Sequence, residues 1–200
     1  MGARYLLLRH GQIAANKQGR WHGSTDSNLT WRGRLQAKRT GNYLSKHETI
    51  SAVYASPLQR CQDTAAIATR HSDLEINTLS GLAEMSIGEW ENMPFKQLYE
   101  EYDFLSKVID DPNFAPPQGE SLTSVCHRVT AAFHEIDQLH SHDETVLIVS
   151  HGVALAIALA HFVDGTASMW MNYHFDNCSL TEFYVSPEPY VEHFNRSAHL

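Results

Sequence analysis

Leu8-Arg9-His10-Gly11 closes a short apolar run with a fixed cation beside a titratable nitrogen. The Arg guanidinium offers forked donors that match phosphate oxygens. The imidazole, neutral near pH 7, can attack phosphorus or shuttle a proton. Alone, the tetrapeptide reads better as a surface Arg–His pair. A second His follows another apolar run, at Val149-Ser150-His151, and a third run closes at Ala55-Ser56, with Arg60 shortly after it. A carboxyl brought near them could protonate a departing oxygen.

These residues need elements to hold them together. The runs Tyr5 to Leu8, Ala52 to Ala55, Val146 to Val149 and Ser179 to Val185 read as strands, with Tyr190 to Phe194 a weaker last one. Longer helical patterns alternate with them, which predicts an α/β fold with a largely parallel sheet. In such sheets the carboxyl ends of the strands form the ligand crevice. Three strands ending at reactive residues therefore point to one shared site. Ser56-Pro57 reads as the cap and first residue of a helix reaching about Arg70, which places Arg60 in its first turn. There, free backbone N–H groups also favour an anion. Thr30 can cap a helix through Leu35, Ala37 and Leu44; another spans 121–139, and a buried one starts at Gly152. The stretch 87–117 differs, with Trp90, Phe95, Tyr99, Tyr102 and Phe104 among acidic residues, and reads as a cap inserted over the sheet edge. Contact between these aromatics and substrate is an even alternative to simple packing.

Composition excludes several classes. Fifteen Lys and Arg against 23 Asp and Glu give a net charge of −8 over 200 residues. That balance argues against a general nucleic-acid or anionic-membrane binder, while leaving room for a small basic pocket. Cys61, Cys126 and Cys178 are scattered and odd in number, as expected of a cytoplasmic chain without a disulfide framework. No apolar run approaches the roughly 20 residues that cross a bilayer. Gly2 invites N-myristoylation, but Leu6 stands where that motif requires Ser or Thr. Among 13 histidines only His140 and His142 sit at a ligand-like spacing, in a polar turn, so no metal or other cofactor is expected.

From Arg9 the chain reads RHGQIAANKQGRWHGSTDSNLTWRGRLQA, and this segment resembles the opening of the histidine phosphatase superfamily, the phosphoglycerate mutase-like family. Ala55-Ser56-Pro57-Leu58-Gln59-Arg60 is similar to that family's second Arg motif. Gly81-Leu82-Ala83-Glu84 is similar to its acid-carrying loop, and Val149-Ser150-His151-Gly152 to its second His motif. Four motifs in order over nearly the whole chain are specific where one would be weak. The pattern lies closest to the broad-specificity and α-ribazole phosphatase branch.

The resemblance implies a single domain over 1–200, a three-layer α/β/α sandwich with a largely parallel central sheet and a small helical cap at about 87–117. It makes His10 the nucleophile that becomes phosphohistidine, with Arg9, Arg60 and His151 around the transferring phosphoryl group. Asn16, His22 and Gly23 add to phosphate or substrate binding. Glu84, at the family's acid position, becomes the general acid and then the base that activates water, with Glu89 and Glu91 as its rivals. The implied activity is metal-independent hydrolysis of a small phosphomonoester. A phosphoglycerate-type mutase and a non-catalytic phospholigand binder are the alternatives. Gln12 and Ile13 depart from the family's usual Glu and Ser or Thr, removing a charge and a hydroxyl, and imply altered affinity or substrate choice.

Overall fold

Residues 3–200 are described by the computed structural model; Gly2, considered above for acylation, lies outside them. Strands β1 (Arg4–Arg9), β2 (Ala52–Ala55), β3 (Ile76–Thr78), β4 (Thr145–Ser150), β5 (Leu180–Tyr184) and β6 (Tyr190–Arg196) form one sheet in the order β3-β2-β4-β1-β5-β6. The first four pair in parallel, and β5 runs antiparallel to both of its neighbours.

The unbroken apolar runs of β1 and β4 arise because both faces of the sheet are covered. Tyr5, Leu7, Val146 and Ile148 pack on one side against α6 (Leu122–Leu139) and α7 (Gly152–Asp164). Leu6, Leu8, Leu147 and Val149 pack on the other against α2 (Trp31–His47) and α3 (Gln59–Ala68). This period of two divides the strands between two cores and makes the expected three layers. Helix α7 is buried from Ala154 through Ala160, which explains its apolar sequence on every face.

Helix starts follow local chemistry where a cap is free to act. Thr30 Oγ1 accepts the Gly33 N–H at 3.0 Å, and Ser121 Oγ accepts that of Ser124 at 3.1 Å, each contributing about 1 kcal/mol. The Ser56-Pro57 signal is displaced. Helix α3 begins at Gln59, two residues later than expected, and the Ser56 hydroxyl accepts the Leu58 N–H at 3.3 Å in the turn before it while lying 2.7 Å from His151 Nε2. Between 87 and 117 the chain forms α4 (Phe95–Glu100) and α5 (Phe104–Asp110), the cap. Trp90 and Phe104 anchor it, with the Phe104 ring 5.4 Å from that of Trp21.

One backbone contact fixes the start of α2 against the strand end. A Cβ on Gly11 would lie 2.6 Å from the Gly33 carbonyl oxygen, and one on Gly33 would overlap the Gln12 carbonyl. The two segments touch main chain to main chain, with no room for a side chain between them. No helix among the described residues is long and apolar enough to cross a membrane.

Candidate active site

The parallel register brings the three strand ends level: Leu8 and Ala55 both pair with Val149, and Arg9 pairs with Ser150. Beyond them, His10 N–H donates to the Ser150 carbonyl and Ser56 N–H to that of Val149, each at 3.0 Å. His10, His151 and Ser56 thus meet above the carboxyl edge, with the two imidazole centroids 5.2 Å apart.

Hydrogen-bond logic assigns the ring protons. His10 Nδ1 is 2.8 Å from the Gly11 carbonyl, which can only accept, so Nδ1 carries the proton and Nε2 keeps a bare lone pair. Arg60 Nε, which can only donate, is 3.2 Å from His151 Nδ1, so the His151 proton sits on Nε2 and points to Ser56 Oγ. Burial, reinforced by the Arg60 and Arg9 charges, holds the His10 imidazole well below its ordinary 6.5. Burial, with Arg60 and then His10, does the same to His151.

Arg9 donates to the Phe175 carbonyl, while its buried Nε has no protein partner. Asn16, on α1 (Ala14–Gln18), accepts from Ile13 N–H at 3.1 Å and Asn177 Nδ2 at 3.2 Å, which leaves its own Nδ2 free to donate. Glu84 sits on the N-terminus of α7. Its Oε1 accepts from Met85 and Ala154 N–H at 3.0 and 2.9 Å, and its Oε2 from Val153 N–H at 3.1 Å.

Arg9, His10, Asn16, His22 and Glu84 all line one cleft of about 460 Å³. Arg60, Gly23 and His151 stand behind it. The Arg60 guanidinium donates to the carbonyls of His22, Gly23 and Thr25 at 3.2, 2.6 and 2.8 Å, leaving one Nη1 hydrogen uncommitted. Gly23 N–H points to Glu91 at 2.9 Å. Of the three acids, Glu84 alone borders the cleft, while Glu89 faces Gln118. The cap aromatics divide: Phe95 and Tyr99 line the cleft, whereas Trp90, Tyr102 and Phe104 pack among themselves. Ile13 also lines it, but Gln12 does not, because its Oε1 lies 3.1 Å from the Thr30 hydroxyl. The change at Gln12 therefore acts on the start of α2 and not on the cleft. Sequence reasoning missed the wall made by Trp170, Met171, Tyr173 and Phe175, which no periodic pattern marks. Among the described residues no group of three or more His, Cys, Asp or Glu is placed to hold a metal ion.

The buried neutral imidazoles make stability acid-sensitive. Below about pH 6.5 the unfolded chain protonates these rings while the folded chain holds them neutral. The unfolded state then binds more protons, so folding weakens by about 1.4 kcal/mol per pH unit for each ring until its lowered folded value is reached. The thermal midpoint should fall as pH drops from about 7.5 to about 5.5, less steeply in His10→Asn, since that variant removes one of the protons. An unchanged slope in the variant would show that the His10 ring protonates freely in the fold.

A profile of the family described as the histidine phosphatase superfamily (branch 1) matches residues 5–195. A bifunctional protein of Mycobacterium tuberculosis is 32% identical over 200 residues, covering 98% of this chain but 55% of that protein, so the chain spans about half of its length. Phosphoserine phosphatase 1 of Hydrogenobacter thermophilus is 31% identical over 183 residues, covering 90% of this chain and 85% of the relative. The crystal structure of the α-ribazole phosphatase from Shigella flexneri superposes with a TM-score of 0.83 at 26% identity, covering 96% of each chain.

Proposed function

Because the chain belongs to the histidine phosphatase superfamily (branch 1), we propose that it hydrolyses a small phosphomonoester through a phosphohistidine on His10. One observation carries this reading: a neutral His10 with Nε2 bare lies in the cleft beside an Arg9 whose buried Nε has no partner. An unpaired buried donor is costly, and an arriving phosphate oxygen satisfies it. His10 Nε2 attacks phosphorus as the bond to the leaving oxygen breaks, and Glu84 gives that oxygen its proton. Water then attacks the phosphohistidine, Glu84 takes a proton from it, and phosphate departs with His10 restored. Arg9, Asn16 and the His151–Arg60 pair behind the cleft supply positioning and positive charge, which is most of what phosphoryl transfer asks of a protein.

The apolar remainder of the cleft, Phe95, Tyr99, Leu105, Trp170 and Met171, comes from the cap and from 167–175 and would receive the leaving group. Since Arg9 and Arg60 provide the charge that Mg²⁺ supplies in other phosphoryl-transfer sites, no metal is assigned a role. All three cysteines are free, in keeping with a cytoplasmic setting. A panel of phosphomonoesters should release phosphate without any bisphosphorylated primer, and exhaustive chelation should leave the rate within about twofold. Turnover that required a primer would move the chain to the mutases. A rate lost to chelator and restored by one ion would overturn the metal-free mechanism.

A further inference from the structure

We propose that Glu91 is a positioning residue for phosphoryl transfer, acting from the cap through the 22–25 loop on Arg60 and His151; the inference rests on the phosphatase reading above. Its carboxylate meets an arc of backbone donors. Oε2 accepts from Gly23 N–H at 2.9 Å and Thr25 N–H at 3.3 Å, and Oε1 from Ser24 N–H at 3.0 Å and Ile87 N–H at 3.2 Å. Such a concave set of amides is an anion site, here filled by the protein's own side chain.

The opposite side of the same loop faces Arg60. In a trans peptide unit the N–H and C=O point in opposite directions. The unit joining His22 to Gly23 gives its carbonyl to Arg60 Nη2 and its N–H to Glu91; the unit joining Gly23 to Ser24 does the same. Two peptide dipoles are thus strung between a carboxylate and a guanidinium, and each bond polarises the next. Arg60 passes the constraint on through Nε to His151 Nδ1, whose ring faces that of His10. Glu91 itself does not border the cleft and touches no reacting atom. Removing it frees the loop, and with the loop the carbonyls that hold Arg60 in place.

Pre-steady-state kinetics on an aryl phosphomonoester test this. Glu91→Ala should slow the burst of leaving group on the order of 10-fold or more, and formate should restore it saturably by refilling the amide arc. Chloride at matched ionic strength should not. In an Arg60→Ala background the same change should cost less than about twofold, because both act through one path. An unimpaired burst in Glu91→Ala overturns the proposal, as does a loss that formate ignores and that adds in full to Arg60→Ala. Should the Ala variant not fold, Glu91→Gln keeps the volume but turns an amide nitrogen onto two N–H donors, and it faces the same non-additivity test. Hydrogen exchange decides the clamp independently of turnover: the amides of Gly23, Ser24, Thr25 and Ile87 should be protected in the unaltered chain and exposed in the variant. Rapid exchange in the unaltered chain overturns the proposal. A chain inactive on every phosphomonoester but protected at these amides would instead remove the phosphatase reading.

Discussion

Replacing His10 with Ala should lower turnover on the order of 10³-fold or more and eliminate any covalent phosphoenzyme. The reason lies in what surrounds the ring. His10 Nε2 is the one imidazole nitrogen of the pair left bare, since both nitrogens of His151 are engaged by Arg60 and Ser56. Cys61 is no substitute nucleophile, because burial pushes its thiol well above the ordinary range, where the thiolate is scarce. In a rapidly quenched reaction the unaltered chain should yield an acid-labile, base-stable phosphate adduct on His10. An adduct on another residue, or a His10→Ala variant that still turns over, would refute the mechanism. The depressed imidazole adds a second signature. Activity should not fall on the acid side through loss of the nucleophile near the ordinary His value, because the buried ring remains neutral there.

The second large effect belongs to Glu84. If it protonates the departing oxygen, its worth depends on how basic that oxygen is. An alkyl phosphate leaves as a strongly basic alkoxide, so Glu84→Gln should slow its transfer to His10 on the order of 10²- to 10⁴-fold. An activated aryl phosphate departs without help, and its burst should lose far less. The steady rate mixes in dephosphorylation, which also needs Glu84, so the burst is the quantity to read. The three N–H bonds that fix the carboxylate make side-chain displacement in the variant a concern, and comparing leaving groups removes it, because a displaced side chain would slow both substrates alike. Equal burst losses for alkyl and aryl substrates would reject the acid role. Glu89→Gln should leave both bursts intact, since Glu89 is exposed and bonded to Gln118.

Much of this site was legible in the sequence because local and global signals coincide there. Apolar runs that stop at Arg9, Ser56 and Ser150 mark the ends of strands, and parallel pairing brings those ends together. The long amphipathic pattern of 121–139 became α6 almost residue for residue. What escaped was either too short to carry a period or dictated at long range. Strand β3 has three residues, two of them exposed, and α1 has five. The Ser56 hydroxyl serves a ring 95 positions away as well as the turn before α3. The resemblance places Arg60 around the transferring phosphoryl group, yet the structure gives most of its donors to a loop far ahead of it in the chain. Nothing local marks Glu91 as the acid that would hold the other side of that loop.

The contact between Gly11 and Gly33 bears on how such a chain can change over generations. The apolar wall of the cleft is built from side chains on separate short segments, so Phe95, Tyr99 or Met171 can be exchanged one at a time and a new leaving group admitted. Gly11 and Gly33 offer no comparable single step, because the smallest added carbon at either position strikes the other segment's main chain. Parting the segments would carry away the strand end bearing His10 and the turn that Thr30 caps. Diversification of substrate is open to single substitutions, while departure from the His10 framework at this contact requires several at once.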